Sequence, residues 1–145
     1  MSSKSGFVQK DIGYMKKVCL LCDKSNCETK SSAIAVKNGK VIGKAHNELF
    51  SLERAEKDVP ERDAALHAEA VLLATCAKNG NAIKGSVVYC TRYPCMNCGR
   101  MLIKAGVKKI FYMSDLFATG NQAESLFKNC RIPVVQIKES TVWPK

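Results

Sequence analysis

Apolar and polar positions alternate along this chain with two different periods, and the changes of period divide it into helices and strands. In residues 8–22 apolar side chains recur every three or four positions, which predicts a helix with one buried side. The residues on that side are Val8, Ile12, Met15, Val18, Cys19 and Cys22. Residues 33–36 and 40–44 are predicted strands on either side of Asn38-Gly39, a pair that favours a tight hairpin turn because both residues tolerate positive φ.

The second half of the chain alternates strands with helices. Strands are predicted at 86–91, 108–113 and 133–137, and helices at 66–78, 95–105 and 122–129. Because helices separate these strands, we expect crossover connections and parallel pairing. Residues 47–66 are charged and weakly periodic, and we expect a loop with some helix there. We find neither an internal repeat nor a linker, so the pattern predicts one α/β domain over residues 1–145, built as three α/β/α layers.

Length and composition agree with a single globular domain. The chain has 145 residues, of which 46% are apolar and 25% charged. No stretch approaches the roughly 18–20 consecutive apolar residues of a membrane span, and the first residues lack the apolar run of a secretory signal. Of the eight cysteines, two have the spacing of metal ligands and the others are scattered. We therefore expect a reducing, cytoplasmic setting rather than a disulfide scaffold.

The chain is strongly basic, with a formal net charge of +10. A basic surface attracts anions, so a nucleotide phosphate or a nucleic acid strand is a natural partner. The lysines are spread along the chain without a block of five like charges, which also fits an ordinary solvated surface. Charge alone does not distinguish a nucleotide from RNA.

Two short motifs supply the candidate chemistry. His67-Ala68-Glu69 is separated by 24 residues from Pro94-Cys95-Met96-Asn97-Cys98. One imidazole and two thiolates form a three-ligand zinc set whose fourth tetrahedral position stays open for water. Glu69 is then the proton carrier that such a water needs. This order of residues matches the H-x-E…P-C-x-x-C signature of zinc-dependent nucleobase deaminases.

The predicted helices explain how these residues reach one ion. Cys95 and Cys98 lie at positions i and i+3 in the first turn of a helix and therefore share a face. His67 and Glu69 are two residues apart and would point to different sides of a helix interior. Both side chains can reach the metal if it lies beyond the N-terminal end of their helix. We expect both helix N-termini to point at the same spot, where their partial positive charge favours thiolate.

Each motif alone has a simpler explanation. An isolated C-x-x-C is as easily a redox pair or half of a structural zinc site, and an isolated H-x-E is usually surface chemistry. The two together, in this order and with Pro94 before the first cysteine, favour catalysis. A third hypothesis is a catalytically silent, zinc-folded binding module. Structural zinc normally takes four protein ligands, however, and such a site has no use for Glu69.

Further segments surround these motifs. They are 87–91, 104–112, Asp115 and 126–136, with Ser25-Asn26-Cys27 and 40–46 upstream. Across about residues 27–137 the sequence resembles the zinc-dependent cytidine/deoxycytidylate deaminase superfamily, and its deoxycytidylate (dCMP) deaminase branch in particular. The resemblance implies a cytidine deaminase-like fold, a three-layer α/β/α arrangement with a mixed five-stranded sheet. It also implies assembly as a homo-oligomer.

The resemblance also implies roles for individual residues. His67, Cys95 and Cys98 would bind zinc, and Glu69 would be the catalytic proton shuttle. The residues implied in substrate binding are Asn47, Ala68, Tyr112 and Asp115. The implied reaction is hydrolytic deamination of dCMP to dUMP and ammonia.

One segment departs from the family pattern. Where dCMP deaminases often carry Gly-Tyr-Asn-Gly, which is tied to regulation by nucleoside triphosphates, this chain has Ala45-His46-Asn47-Glu48. The departure argues against activation by dCTP. Because His-Asn at this place also occurs in relatives that act on guanine, cytidine or tRNA adenosine, those substrates stay open. The principal alternative is an adenosine deaminase acting on tRNA, which the net charge favours.

The remaining cysteines allow two interpretations. Cys19, Cys22 and Cys27 could hold a second, structural metal, with His46 as a conceivable fourth ligand. We favour the alternative that they are ordinary packing residues, because a free cysteine behaves as a small apolar side chain. We expect packing roles also for Cys76, Cys90 and Cys130.

Overall fold

The computed structural model describes residues 6–49, 65–115 and 122–145. The elements, in chain order, are α1 (Gln9–Leu21), a 3-10 turn (Cys22–Lys24), β1 (Ser32–Lys37), β2 (Lys40–His46), β3 (Glu48–Leu49), β4 (Ala65–Leu66), α2 (Ala68–Lys78), β5 (Val87–Arg92), α3 (Met96–Lys104), β6 (Lys109–Ser114), α4 (Gln122–Asn129), β7 (Val134–Gln136) and α5 (Glu139–Val142). None of these helices is long and apolar enough to cross a membrane.

Five of the strands form one mixed sheet in the order β2-β1-β5-β6-β7. β1 is antiparallel to both β2 and β5, whereas β6 is parallel to β5 and to β7. The two parallel pairs are joined by α3 and α4, as the spacing of strands and helices predicted. The expected mixed five-stranded sheet and the parallel direction of its later strands are therefore confirmed.

The hairpin between β1 and β2 turns at Asn38 and Gly39, whose φ angles are 52° and 75°. Two successive positive φ angles are the requirement of the tight turn that the Asn-Gly pair predicted. The register Lys37↔Lys40 closes the hairpin directly around these two residues. A register shift between Ala35 and Val36 follows, so the turn and this irregularity together set which residues of β2 face the core.

Helices cover both faces of the sheet, as the three-layer prediction required. On one face, α2, α3 and α4 contribute Leu72, Leu102 and Phe127 to a buried cluster with Val88 and Ile110. On the other face, α1 and α5 contribute Met15, Val18 and Val142, which pack with Tyr89 and Phe111. Neighbouring residues of β5 and β6 thus enter opposite cores, since side chains alternate along a strand.

The structure differs from the predicted pattern in a few places. Cys130 was expected to pack but is exposed, and Val8 was expected on the buried side of α1 but is 46% exposed as the N-cap of that helix. β3, β4 and α5 were not predicted, since elements of two to four residues carry no measurable period. Most of the expected loop at 47–66 lies outside the described residues.

Gly43 is a point of close approach between β2 and α2. A Cβ atom added there would lie 2.6 Å from Cys76 Sγ and 3.0 Å from Leu72 Cδ1, both buried side chains. We expect Gly43→Ala to lower the free energy of unfolding by about 1–3 kcal/mol, the usual cost of overpacking a core. Urea denaturation measures the change.

Gly13→Ala is the matched control for that substitution. Gly13 lies inside α1, and nothing lies within 4 Å of the added Cβ. Alanine there should raise stability by about 0.5–1 kcal/mol, because glycine weakens a helix interior. Equal midpoints for the two variants would contradict the close packing of α2 on β2.

Candidate active site

Two helix N-termini meet at the candidate site. His67 is the N-cap of α2 and Cys95 the N-cap of α3, and both have extended backbone (ψ 148° and 169°). Their side chains therefore project from the ends of the helices rather than from the sides. Cys98, one turn into α3, donates its backbone N–H to Cys95 Sγ at 3.5 Å. The expectation that both motif helices point at one spot is confirmed.

The three predicted ligand side chains lie close together. His67 Nδ1 is 3.5 Å from Cys95 Sγ and 3.4 Å from Cys98 Sγ, and all three ligand atoms lie within 4.8 Å of one another. Zinc bonds of roughly 2.3 Å to sulfur and 2.0–2.1 Å to nitrogen in a tetrahedron place N and S about 3.6 Å apart. The observed separations thus fit a zinc ion, and the two thiols and imidazole are ligands that zinc prefers.

The cluster shifts the acidity of its own members. Hydrogen bonds from Cys98 and from His67 lower the pKa of Cys95 to about 3. The pKa of Cys98 is raised by the adjacent Cys95 sulfur and by burial, so Cys95 is the first of the two to ionise. The pKa of His67 is raised, mainly by its hydrogen bond to Cys95. The pKa shifts of Cys95 and His67 thus come mainly from hydrogen bonds within the cluster.

Glu69 lies beside this cluster in the first turn of α2. Its residue is only 5% exposed, and its carboxyl neighbours the Cys98 thiol. Burial raises the pKa of Glu69, because the charged carboxylate loses its hydration there. A carboxyl whose pKa is moved upwards exchanges protons more readily near neutral pH.

A glycine brings the cysteine helix close to its neighbour. A Cβ atom on Gly99, directly after Cys98, would lie 2.9 Å from Phe127 Cζ of α4. The bare backbone lets α3 pack tightly on α4. The position of the two cysteines is thereby tied to the core on that face of the sheet.

The four residues predicted to contact substrate differ in their surroundings. Ala68 is fully buried at the start of α2, and Asp115 is exposed just after β6. Tyr112 is half-buried near the C-terminal end of β6. Because β5 and β6 are parallel, this end lies beside the C-terminal end of β5, which leads to Cys95. Asn47 is 8% exposed, and its carboxamide is bonded to residues 25–31.

Tyr93 is a residue at this end of the sheet that the sequence pattern did not single out. Its ring meets Tyr112 edge-on with centroids 4.8 Å apart, and its backbone N–H donates to Ser114 O at 2.8 Å. It therefore joins the ends of β5 and β6 immediately before Pro94 and Cys95. In the sequence, only the position of Tyr93 directly before Pro94 and Cys95 indicated that it lies near the candidate site.

The second cysteine group does not form a metal cluster. Cys19 Sγ contacts Met113 Sδ at 3.6 Å, and Cys22 Sγ contacts Ser32 Oγ at 3.1 Å, while Cys27 is buried. Within residues 6–49, 65–115 and 122–145, the one group of three side chains with metal-ligand spacing is His67, Cys95 and Cys98. The contacts favour packing roles for the three upstream cysteines.

Comparison with known proteins agrees with this geometry. The family model for MafB19-like deaminases matches residues 8–141. ComE operon protein 2 of Bacillus subtilis (strain 168) is 34% identical over 73 residues, which cover 50% of this chain and 38% of that protein. The deoxycytidylate deaminase of Homo sapiens is 37% identical over 57 residues, 39% of this chain and 31% of that protein. The matches thus span only about a third of the length of these curated relatives.

Solved structures extend the likeness over most of the chain. The dCMP deaminase of cyanophage S-TIM5, in its apo form, superposes with a TM-score of 0.76 at 29% identity, covering 90% of this chain and 99% of that one. The same enzyme in complex with dCMP and dUMP gives a TM-score of 0.75 at 27% identity, covering 90% and 98%. With a family model matched from residue 8 to residue 141, this chain belongs to the MafB19-like deaminase family, in the cytidine/deoxycytidylate deaminase superfamily.

Proposed function

We propose that this protein is a zinc-dependent hydrolase that converts a pyrimidine nucleotide, dCMP, to dUMP and ammonia. The observation that carries the proposal is the meeting of His67, Cys95 and Cys98 with the buried carboxyl of Glu69. Three ligands and a neighbouring proton carrier are the parts that hydrolytic deamination needs. The solved S-TIM5 dCMP deaminase, with its dCMP and dUMP complex, supports the choice of nucleotide.

His67 Nδ1, Cys95 Sγ and Cys98 Sγ would hold the zinc ion. When bound, zinc supplies Lewis acidity, which lowers the pKa of a coordinated water towards neutrality. The N-terminal ends of α2 and α3 add partial positive charge at the same place and help to keep both sulfurs ionised. The protein contributes a site whose geometry is held by two helix ends.

Glu69 would move the protons of the reaction. Its carboxylate takes a proton from the attacking water, which adds to the ring carbon bearing the exocyclic amine. The same oxygens deliver that proton to the adjacent ring nitrogen. They then carry the second proton from the new hydroxyl on the ring carbon to the amine as the carbon–nitrogen bond breaks, so that water and dCMP give dUMP and ammonia. The raised pKa of the buried carboxyl supports this exchange, because it favours binding of the proton that the carboxyl must carry.

The substrate would lie against the residues around this cluster. We propose that the backbone at Ala68 contacts the base and that Tyr112 supplies an aromatic wall, with Asp115 beside it. Asn47 would contact the sugar or base. The paired ends of β5 and β6 support the assignment of Tyr112 and Asp115, since Tyr93 joins these ends next to Cys95.

We further propose a homo-oligomer in a reducing, cytoplasmic setting. All eight cysteines fall within the described ranges and all are free, which fits a reducing compartment. Large apolar side chains exposed in the described part of the chain would favour association between copies. They are Val8, Leu20, Leu66, Met101 and Trp143.

The metal assignment predicts a defined metal content. Protein purified without chelator should carry about one equivalent of zinc, and Cys98→Ala should lose most of it because a ligand is removed. Cys130→Ala removes an exposed cysteine outside the cluster and should keep the full equivalent. Inductively coupled plasma mass spectrometry measures both. Equal zinc in the two variants would contradict the ligand set.

The proposed role of Glu69 predicts a loss of turnover without a loss of metal. Glu69→Gln keeps the shape of the side chain but cannot shuttle protons, so the rate should fall by about 10²–10⁴-fold while zinc content is retained. Ammonia release provides the assay. Glu139→Gln, an exposed substitution on α5, is the control and should keep the wild-type rate. Wild-type rates from Glu69→Gln would exclude this mechanism.

The choice of dCMP is tested by comparing substrates side by side. Zinc-loaded protein is incubated with dCMP, deoxycytidine, cytidine, guanine and tRNA, and the ultraviolet change and ammonia are followed. We expect dCMP to be turned over far faster than deoxycytidine, because the basic protein attracts the phosphate. Activity on tRNA alone would keep the zinc chemistry and move the protein to the adenosine-deaminating alternative.

A further inference from the structure

The carboxamide of Asn47 is held by the segment 25–31. Asn47 Oδ1 accepts hydrogen bonds from Ser25 Oγ at 2.6 Å and from the backbone N–H of Ser31 at 3.0 Å. Asn47 Nδ2 donates to the backbone carbonyl of Thr29 at 2.7 Å. Three hydrogen bonds within the protein therefore fix the position of this side chain before any ligand binds.

These partners determine which way round the carboxamide lies. A backbone N–H can only donate and a backbone carbonyl can only accept, so Ser31 and Thr29 identify Oδ1 and Nδ2 without ambiguity. The carboxamide has two acceptor positions and two N–H groups. Both acceptor positions and one N–H are used, so among the residues that the structure describes a single Nδ2–H is left for a ligand.

Ser25 connects this carboxamide to its own loop. The residue is 5% exposed, and its hydroxyl donates to Asn47 Oδ1 while it accepts the backbone N–H of Cys27 at 3.1 Å. Asn26 Oδ1 accepts from the backbone N–H of Leu49 at 3.0 Å. The segment 25–31 and residues 47–49 are therefore fastened to each other at several points.

Strand register indicates that the backbone of Asn47 lies near that of His67, one of the proposed zinc ligands. In the β3–β4 pair, Glu48 opposes Leu66 and Leu49 opposes Ala65. Continuing the same antiparallel register by one residue places Asn47 opposite His67. A change in the direction of the Asn47 carboxamide would therefore alter the surroundings of the proposed ligand His67.

We propose that Ser25 is a positioning residue for substrate binding, whose buried hydroxyl locks the Asn47 carboxamide so that one Nδ2–H faces an acceptor atom of the substrate's sugar or base. The inference rests on the proposed function, which supplies the substrate. It adds a specificity rule, because the locked carboxamide can recognise an oxygen or nitrogen acceptor but cannot accept from a donor. Ser25 itself need not touch the substrate.

Steady-state kinetics of Ser25→Ala test the proposal. Loss of one locking hydrogen bond should raise KM for dCMP about three- to tenfold and leave kcat within about twofold. Zinc content should stay at the wild-type level. Ser86→Ala is the matched control, because Ser86 is a fully buried serine directly before β5 whose hydroxyl has no hydrogen-bond partner within the described part of the chain. It should leave KM unchanged.

A double-mutant cycle tests whether Ser25 acts through Asn47. If it does, Ser25→Ala should raise KM in the wild-type background and add nothing in the Asn47→Ala background. Multiplying effects in the double variant would mean that Ser25 acts independently, and the proposal would be overturned. A KM for Ser25→Ala equal to that of Ser86→Ala would also overturn it.

Hydrogen exchange gives a readout that needs no turnover. The amides of Cys27 and Ser31 should exchange faster in Ser25→Ala than in Ser86→Ala, since both belong to the locked loop. Equal exchange rates of these two amides in both variants would show that the Ser25 hydroxyl does not hold the loop, and would overturn the proposal. Absence of turnover by the wild-type protein on every substrate would sink the proposed function, whereas wild-type turnover with an unaffected Ser25→Ala would sink this inference alone.

Discussion

The candidate site depends on the convergence of two helix N-termini. His67 and Cys95 are N-caps, so their side chains leave the helix ends where unpaired backbone N–H groups create partial positive charge. Parallel β5 and β6 make this arrangement possible, because α3 starts where β5 ends and returns along one face of the sheet. Moving either helix by one turn would separate the ligand atoms by about 5 Å.

Burial of Glu69 beside two sulfurs would be unfavourable without a cation. A carboxylate and thiolates in a weakly polar interior repel one another and lose hydration. The proposed zinc ion would neutralise the sulfurs and leave the carboxyl poised to exchange a proton. The same low polarity that makes the arrangement costly would strengthen each charge interaction during the proposed reaction.

Periodic elements were predictable from the sequence, and short or context-dependent ones were not. The helix at 122–129 and the hairpin around Asn38-Gly39 follow from spacing and turn chemistry, which are local properties. The two-residue strands β3 and β4 form only because distant segments meet. Apolar neighbours in the sequence predicted that Cys130 is buried, but it is exposed. Its exposure depends on how the residue after α4 is placed relative to the rest of the fold, which the local sequence does not show.

By itself the sequence predicted the proposed ligand set and proton carrier, and it determined the order of the longer helices and strands, because these rest on residue type and on spacing along the chain. Only the tertiary structure decided that His67 Nδ1 meets both sulfurs within 3.5 Å, since 28 and 31 residues separate those positions in the chain. It also decided that Asn47 is tied to Ser25, Thr29 and Ser31. Hydrogen bonds between such segments depend on three-dimensional packing, which spacing in one dimension does not record.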